Sequence, residues 1–366
     1  MKKILSLLLF AIFCFNVSVS QSIFQVKGLC IAAPAVDRVD EFTEFISDEL
    51  APAGINTLIL RVDFNYAYES RPELRDKNPL TKADVKKLVA VCKKHNINLI
   101  PQVNLLGHQT WAAKTNKLLE VYPEFDETPR VKMPEKYEWP NADGLYCKSY
   151  CPRHPEVHKV VFDLVDEIME VFEATDFHAG MDEVFYIADA ECPRCKGVSP
   201  AKIFAEEVSK ISRHLEKSNA RLWIWGDRLI DASNSGIGMW EASMNNTHTA
   251  LNSIPKSVVI CDWHYEKAIP TPVYFAMNGF DVIACPWRKP DVAVAQVEMM
   301  HNFKKNATPE MKEHFQGVMH TVWSPAGRFL DAYKNYKTSD YKKGNQVACF
   351  KAMVEAIAEI EKQQAK

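Results

Sequence analysis

One pattern constrains this chain more than any other: a short, almost unbroken apolar run followed by an amphipathic segment of helical period, repeated eight times. The runs lie at 26–33, 57–64, 98–106, 177–182, 221–225, 257–263, 280–286 and 317–323. They are continuous rather than alternating in polarity, so each needs cover on both faces, which a parallel sheet with crossover helices supplies. The segment 154–172 is the clearest helix, with Val157, Val161, Leu164, Val165, Ile168 and Phe172 on one face. Segments 37–50, 81–95, 199–217, 291–305 and 345–362 read the same way, while the connections after the fifth and sixth runs are the weakest helices. Eight such units in 366 residues predict an α/β fold, a (β/α)8 TIM barrel in a single domain. An open doubly wound sheet competes, but no glycine-rich phosphate loop follows any run.

The chain opens with Met1-Lys2-Lys3, an apolar stretch over 4–17 and the small residues Ser18-Val19-Ser20. This is the three-part pattern of a secretory signal peptide, expected over residues 1–20, leaving 21–366 as the barrel. The stretch is too short for a membrane span, so a secreted or periplasmic chain with no span after processing is expected. A formal net charge of −3 gives no electrostatic case for nucleic acid. Beyond the leader, Cys30, Cys92, Cys261, Cys285 and Cys349 lie in apolar runs and read as buried small hydrophobes. Cys147, Cys151, Cys192 and Cys195 form two close pairs, a spacing open to disulfides or to a structural zinc site, in either case bracing a loop.

In a (β/α)8 barrel, chemistry gathers where strands end. Asp63 stands at the end of the second run, Asn104 to His108 at the end of the third, Asp182 and Glu183 at that of the fourth, and Trp225 and Asp227 at that of the fifth. Trp263 and Tyr265 stand at the end of the sixth, Trp287 and Arg288 at that of the seventh and Trp323 at that of the eighth, with Trp240 and Glu241 in the connection behind the fifth. Other Asp-Glu neighbours sit in polar or amphipathic segments. Asp182-Glu183 instead lies between Gly180-Met181 and Val184-Phe185-Tyr186-Ile187, where partial desolvation makes carboxylates chemically useful. Flat rings around carboxylates suit a sugar, whose C–H faces pack on π surfaces while its hydroxyls bond to acids.

His178-Ala179-Gly180-Met181-Asp182-Glu183-Val184 resembles the strand-four signature of the family 20 glycoside hydrolases, the β-N-acetylhexosaminidases, whose catalytic domain is a (β/α)8 barrel. Asp63 looks like the family's strand-two Asp, and Gly107-His108 like its strand-three Gly-His. Trp225, Trp240, Tyr265 and Trp323 look like the aromatics of its sugar pocket, to which Trp263 at the sixth strand end is added as a substrate-binding residue. The resemblance implies removal of a terminal N-acetylhexosamine from a glycan or glycoconjugate, with retention and no cofactor or catalytic metal. Neighbouring acids cannot straddle a sugar, and this family is among the substrate-assisted exceptions, in which the 2-acetamido oxygen attacks the anomeric carbon. Glu183 is then implied as general acid and base. Asp182 stays ionised and holds the acetamide N–H, Tyr265 donates to the acetamide oxygen, and His108 with Asp63 forms a proton-tuning pair behind Glu183.

Three positions depart from the family pattern. Ile31-Ala32-Ala33-Pro34 stands where the family carries an Asp and a sugar-binding Arg after strand one, Asn104 replaces the strand-three Asp, and Ser324-Pro325 replaces an acid after the strand-eight Trp. The family positions hold hydroxyls of the terminal sugar, so their loss motivates an alternative: a catalytically impaired carbohydrate-binding barrel. A zinc amidohydrolase on the same fold would need a His-x-His pair after strand one, which is lacking. With few residues between leader and first run, the accessory domain common before the barrel is not expected.

Overall fold

The computed structural model describes residues 22–138, 147–337 and 345–364. The expected leader over residues 1–20 lies outside them. Eight parallel strands close on themselves: β1 (Val26–Ala32), β2 (Thr57–Arg61), β3 (Asn98–Leu105), β4 (Asp176–Gly180), β5 (Arg221–Trp225), β6 (Val259–Trp263), β7 (Val282–Cys285) and β8 (Phe315–Thr321). β8 returns beside β1 with Val26 opposite Gly317, so the sheet has no free edge. This is the (β/α)8 barrel that the eight repeats predict.

Successive strand residues point to opposite faces, and here both faces are apolar. Cys30, Ile59, Ile100, Trp223, Ile283 and Met319 fill the inside of the barrel. Leu29, Leu58, Leu60, Leu222, Ile224 and Ile260 point the other way, into the layer shared with the helices. That double burial is why the runs read as continuous. The helix Val157–Phe172 buries Val157, Val161, Leu164, Val165, Ile168 and Phe172 and stops where Glu173 turns left-handed, at φ 50°. Each buried aliphatic side chain contributes about 1.5–3 kcal/mol relative to exposure. The helix Lys82–Lys94 starts from a capping box, Thr81 accepting from Asp84 N while the Asp84 side chain accepts from Thr81 N.

One segment differs from the sequence reading in detail. The stretch 37–50 is not one helix but a tight turn, Val36–Arg38, a helix, Val39–Phe45, and a wider π-type turn, Ile46–Leu50. After β5 and β6 only short helices form, Ala232–Ser235 and Thr271–Met277, as their weak periodicity implies. The connection from β3 to β4 is long, carrying a small hairpin, Thr110–Trp111 against Lys114–Thr115, before the helix Val157–Phe172. Among the described residues, no helix is long and apolar enough to cross a membrane.

Candidate active site

The chain leaves β4 through an unusual backbone. Gly180 has φ +68°, and Met181 (φ 68°) and Glu183 (φ 48°) also lie in the left-handed region, which non-glycine residues seldom adopt. In an extended strand, neighbouring side chains diverge. These two kinks cancel that alternation, so Asp182 and Glu183 enter one cavity. A Cβ at Gly180 would lie 2.3 Å from Asn104 Oδ1, and one at Gly107 would lie 2.7 Å from the Asp182 carbonyl oxygen. Between β3 and β4 the register shifts from Gln102 to Leu105, which is where Asn104 turns toward the site.

The cavity at the strand ends has a volume of about 450 Å³. Asp182, Glu183, His108 and Asn104 form its polar side, and Trp263, Tyr265, Trp287 and Trp323 its aromatic side, with Arg61, Trp111 and Asn116 also lining it. His108 Nε2 lies 3.1 Å from Asp182 Oδ2 and 3.3 Å from Glu183 Oε2. Both carboxylates therefore share one imidazole nitrogen on one side of the cavity. Burial is the largest influence on His108 and opposes its charge, but the attraction and hydrogen bonding of Asp182, with Cys147 adding to them, together hold the imidazole well above its usual range. Burial likewise pushes Asp182 up, and the His108 charge and hydrogen bond overcome this and lower it. The result is a His108–Asp182 ion pair at neutral pH. Asp182 Oδ1 is buried without a hydrogen-bond partner.

Tyr265 Oη accepts a hydrogen bond from Trp323 Nε1 at 2.8 Å, and burial lifts its pKa well above the ordinary phenol value, so it keeps a proton to donate. The rings continue from Trp263 to Tyr265, centroids 4.9 Å apart, and from Tyr265 to Trp287 at 5.2 Å. His108 faces Asp182 and Glu183 rather than Asp63, so the expected His108–Asp63 pair is not formed. Asp63 accepts instead from Asn104 N at 2.8 Å and Asn104 Nδ2 at 3.3 Å. Trp225 is fully buried in the barrel interior, its ring 5.7 Å from that of Trp323, and is not part of the cavity wall. Trp240 packs edge-on to Phe185 with centroids 5.1 Å apart, also off the wall.

Three residues enter that the sequence reading did not select. Arg61 ends β2 in register with Ala32 of β1, places its guanidinium 4.6 Å above the Trp323 ring and donates to Val322 O at 2.8 Å. Its Nε is buried and unpartnered. A positive charge thus reaches the cavity from the strand beside the Ile31–Pro34 stretch; the signal was an Arg closing an otherwise apolar run. Trp287, visible as a strand-end ring, takes the wall position expected of Trp225 or Trp240. Asp227 Oδ2 accepts from Glu183 N at 2.9 Å and from Arg228 Nε at 2.6 Å, fixing the backbone of the acid. Burial pushes Asp227 up to about 6, with Arg228 pulling against it.

The four clustered cysteines separate. Cys147 Sγ stands 3.7 Å from Glu183 Oε2, and burial raises its pKa to about 11, so it is a neutral thiol that donates to the carboxylate. Cys151, Cys192 and Cys195 gather elsewhere, around Glu127. The expected set of four thus becomes three thiols with a carboxylate.

Comparison with known proteins bears on the family and the fold. The model of the glycosyl hydrolase family 20 catalytic domain matches residues 64–335. The chain is 28% identical over 186 residues to a beta-hexosaminidase of Akkermansia muciniphila, covering 48% of this chain and 35% of that protein. It is 25% identical over 228 residues to a lacto-N-biosidase of Bifidobacterium bifidum, covering 58% of this chain and 19% of that one. The chain thus spans about a third or less of these two relatives. Its fold resembles the crystal structure of a beta-N-acetylhexosaminidase, with TM-score 0.66 at 17% identity, over 94% of this chain and 77% of the other. A Vibrio harveyi GH20 exo-beta-N-acetylglucosaminidase in complex with N-acetylglucosamine superposes with TM-score 0.61 at 16% identity, over 92% and 55% of the two chains.

Proposed function

Because the chain belongs to glycosyl hydrolase family 20, we propose that it is an exported exo-acting β-N-acetylhexosaminidase that removes a terminal N-acetylhexosamine with retention, using the substrate's acetamide as nucleophile. The observation that carries this reading is the one-sided placement of the acids. Asp182 and Glu183 share His108 Nε2, whereas a retaining pair that supplies its own nucleophile flanks the sugar with carboxyl groups about 5–5.5 Å apart. Asp182 Oδ1, buried and unpaired, suits an acetamide N–H, and its charge supports the cationic oxazolinium as it forms. Glu183 protonates the leaving oxygen and then activates water. Tyr265 donates to the acetamide oxygen, and the sugar face packs against Trp287 and Trp323.

Arg61 supplies to the sugar hydroxyls, from the end of β2, the charge that the family pattern places after strand one. The expected leader over residues 1–20 and the uncharged run within it support export, which N-terminal sequencing of the mature protein checks.

Turnover of an aryl N-acetyl-β-hexosaminide tests the activity. The wild type is expected to hydrolyse it, with Glu183→Gln reducing kcat by about 100- to 10,000-fold, the usual contribution of a positioned general acid. Sugar binding without turnover by the wild type would instead identify the carbohydrate-binding barrel.

A further inference from the structure

Glu127, Cys151, Cys192 and Cys195 come from two connections, the one after β3 and the one after β4. One oxygen of Glu127 and the three sulfurs all lie within 4.8 Å of one another. Cys151 Sγ is 3.6 Å from Cys192 Sγ and 3.6 Å from Cys195 Sγ. These sulfurs are not bonded. Ligands about 2.3 Å from a central Zn²⁺ in tetrahedral geometry place sulfurs about 3.8 Å apart, close to what is seen.

Besides the thiols, the surroundings give the carboxylate one backbone amide and no cation among the described residues. Glu127 is 1% exposed. Its Oε1 accepts from Asp189 N at 3.0 Å, its Oε2 is buried with no partner, and no Lys, Arg or His pairs with it among the described residues. One amide and neutral thiols compensate such a carboxylate only in part, and burying the ion costs several kcal/mol. Backbone amides point at the sulfurs: Arg194 N–H and Cys195 N–H at Cys192, and Arg153 N–H at Cys151. Amides aimed at thiolates are the outer support that metal ligands require.

We propose that Glu127, Cys151, Cys192 and Cys195 hold one structural Zn²⁺ in a closed four-ligand site. Thiolates select a borderline-soft cation over Ca²⁺ or Mg²⁺, and four protein ligands leave no position for substrate or water. Binding displaces a proton from each thiol that enters as thiolate. The ion clamps the connection after β3, which also carries Cys147, to the connection after β4, which carries Glu183.

The assignment is independent of the proposed glycosidase activity, and its test does not use that activity. Full-length protein purified without chelator or added reductant is analysed for metal by mass spectrometry and for free thiols. One equivalent of zinc per chain is expected, falling below about a tenth of an equivalent in Cys192→Ser and Cys195→Ser and persisting in Cys147→Ser. Replacement by Co²⁺ is expected to give the intense sulfur-to-cobalt absorption and visible bands of a tetrahedral thiolate site. Because the Ser variants could fail to fold, the wild type is also melted with and without chelator, and a lower melting temperature is expected with it. Zinc-free wild-type protein that takes up no Co²⁺, or a native disulfide within 151, 192 and 195, overturns the proposal.

Discussion

At the scale of single residues, the site depends on which groups are charged. His108 is held well above its usual range because Asp182 and Cys147 together outweigh burial, the largest single influence on it. A raised histidine contributes stability that is complete below its unfolded pKa of about 6.5 and is lost as pH rises through the higher folded value; the lowered Asp182 contributes above its unfolded value and loses it as pH falls through the folded one. The ion pair therefore persists through the neutral range. Imidazole chemical shifts followed by NMR should show His108 still protonated above pH 6.5, and titration at or below 6.5 would remove the pair. Arg61 offers a second prediction. Its unpaired Nε and its stacking on Trp323 place it on the aromatic side of the cavity, so under the proposed function Arg61→Ala should raise KM roughly tenfold or more for about 1.5–3 kcal/mol of charged hydrogen bonding lost, with kcat much less affected. Equal losses in kcat and kcat/KM would instead assign it to the transition state alone.

At the scale of elements, the turn after β4 decides the site. Gly180→Ala adds a Cβ at φ +68°, 2.3 Å from Asn104 Oδ1. The left-handed backbone alone costs about 1–2 kcal/mol, and the contact with Asn104 adds to it. Urea denaturation should show a lower midpoint together with reduced hydrolysis; an unchanged midpoint and full activity would refute the tight approach of β3 to β4. The strands themselves were legible because both faces of each are apolar, and the Asp182-Glu183 pair was legible because acids rarely interrupt such a run. The placement of tryptophans was not. Trp225 lies within a strand and points to the barrel interior, whereas Trp287 lies beyond the end of β7 and is free of the strand's alternation, a distinction that turns on where each strand stops. Arg61 was missed because it closes β2, and the reading looked for a cation after β1.

At the scale of the whole molecule, acid should be the weak condition. His320 lies in β8 between Phe329 and Phe350, with both ring nitrogens unpartnered, and burial pushes it down to about 3. Its folded value is below the unfolded one, so between pH 6.5 and about 3 the unfolded chain takes up a proton that the folded chain refuses. Stability from this group is lost as pH falls through that window, by about 1.4 kcal/mol per unit. Melting temperatures between pH 7 and 4 should fall less steeply in His320→Leu than in the wild type; parallel curves would place the acid sensitivity elsewhere.

The last helix, Gln346–Gln364, begins where Gln346 Oε1 accepts from Trp323 N at the cavity and ends where Glu361 meets Lys27 at the start of β1, 3.2 Å away. It therefore crosses the full height of the barrel, and its far end points away from the opening. A molecule anchored to a bead or a surface through that end would present its aromatic cleft outward, toward solution.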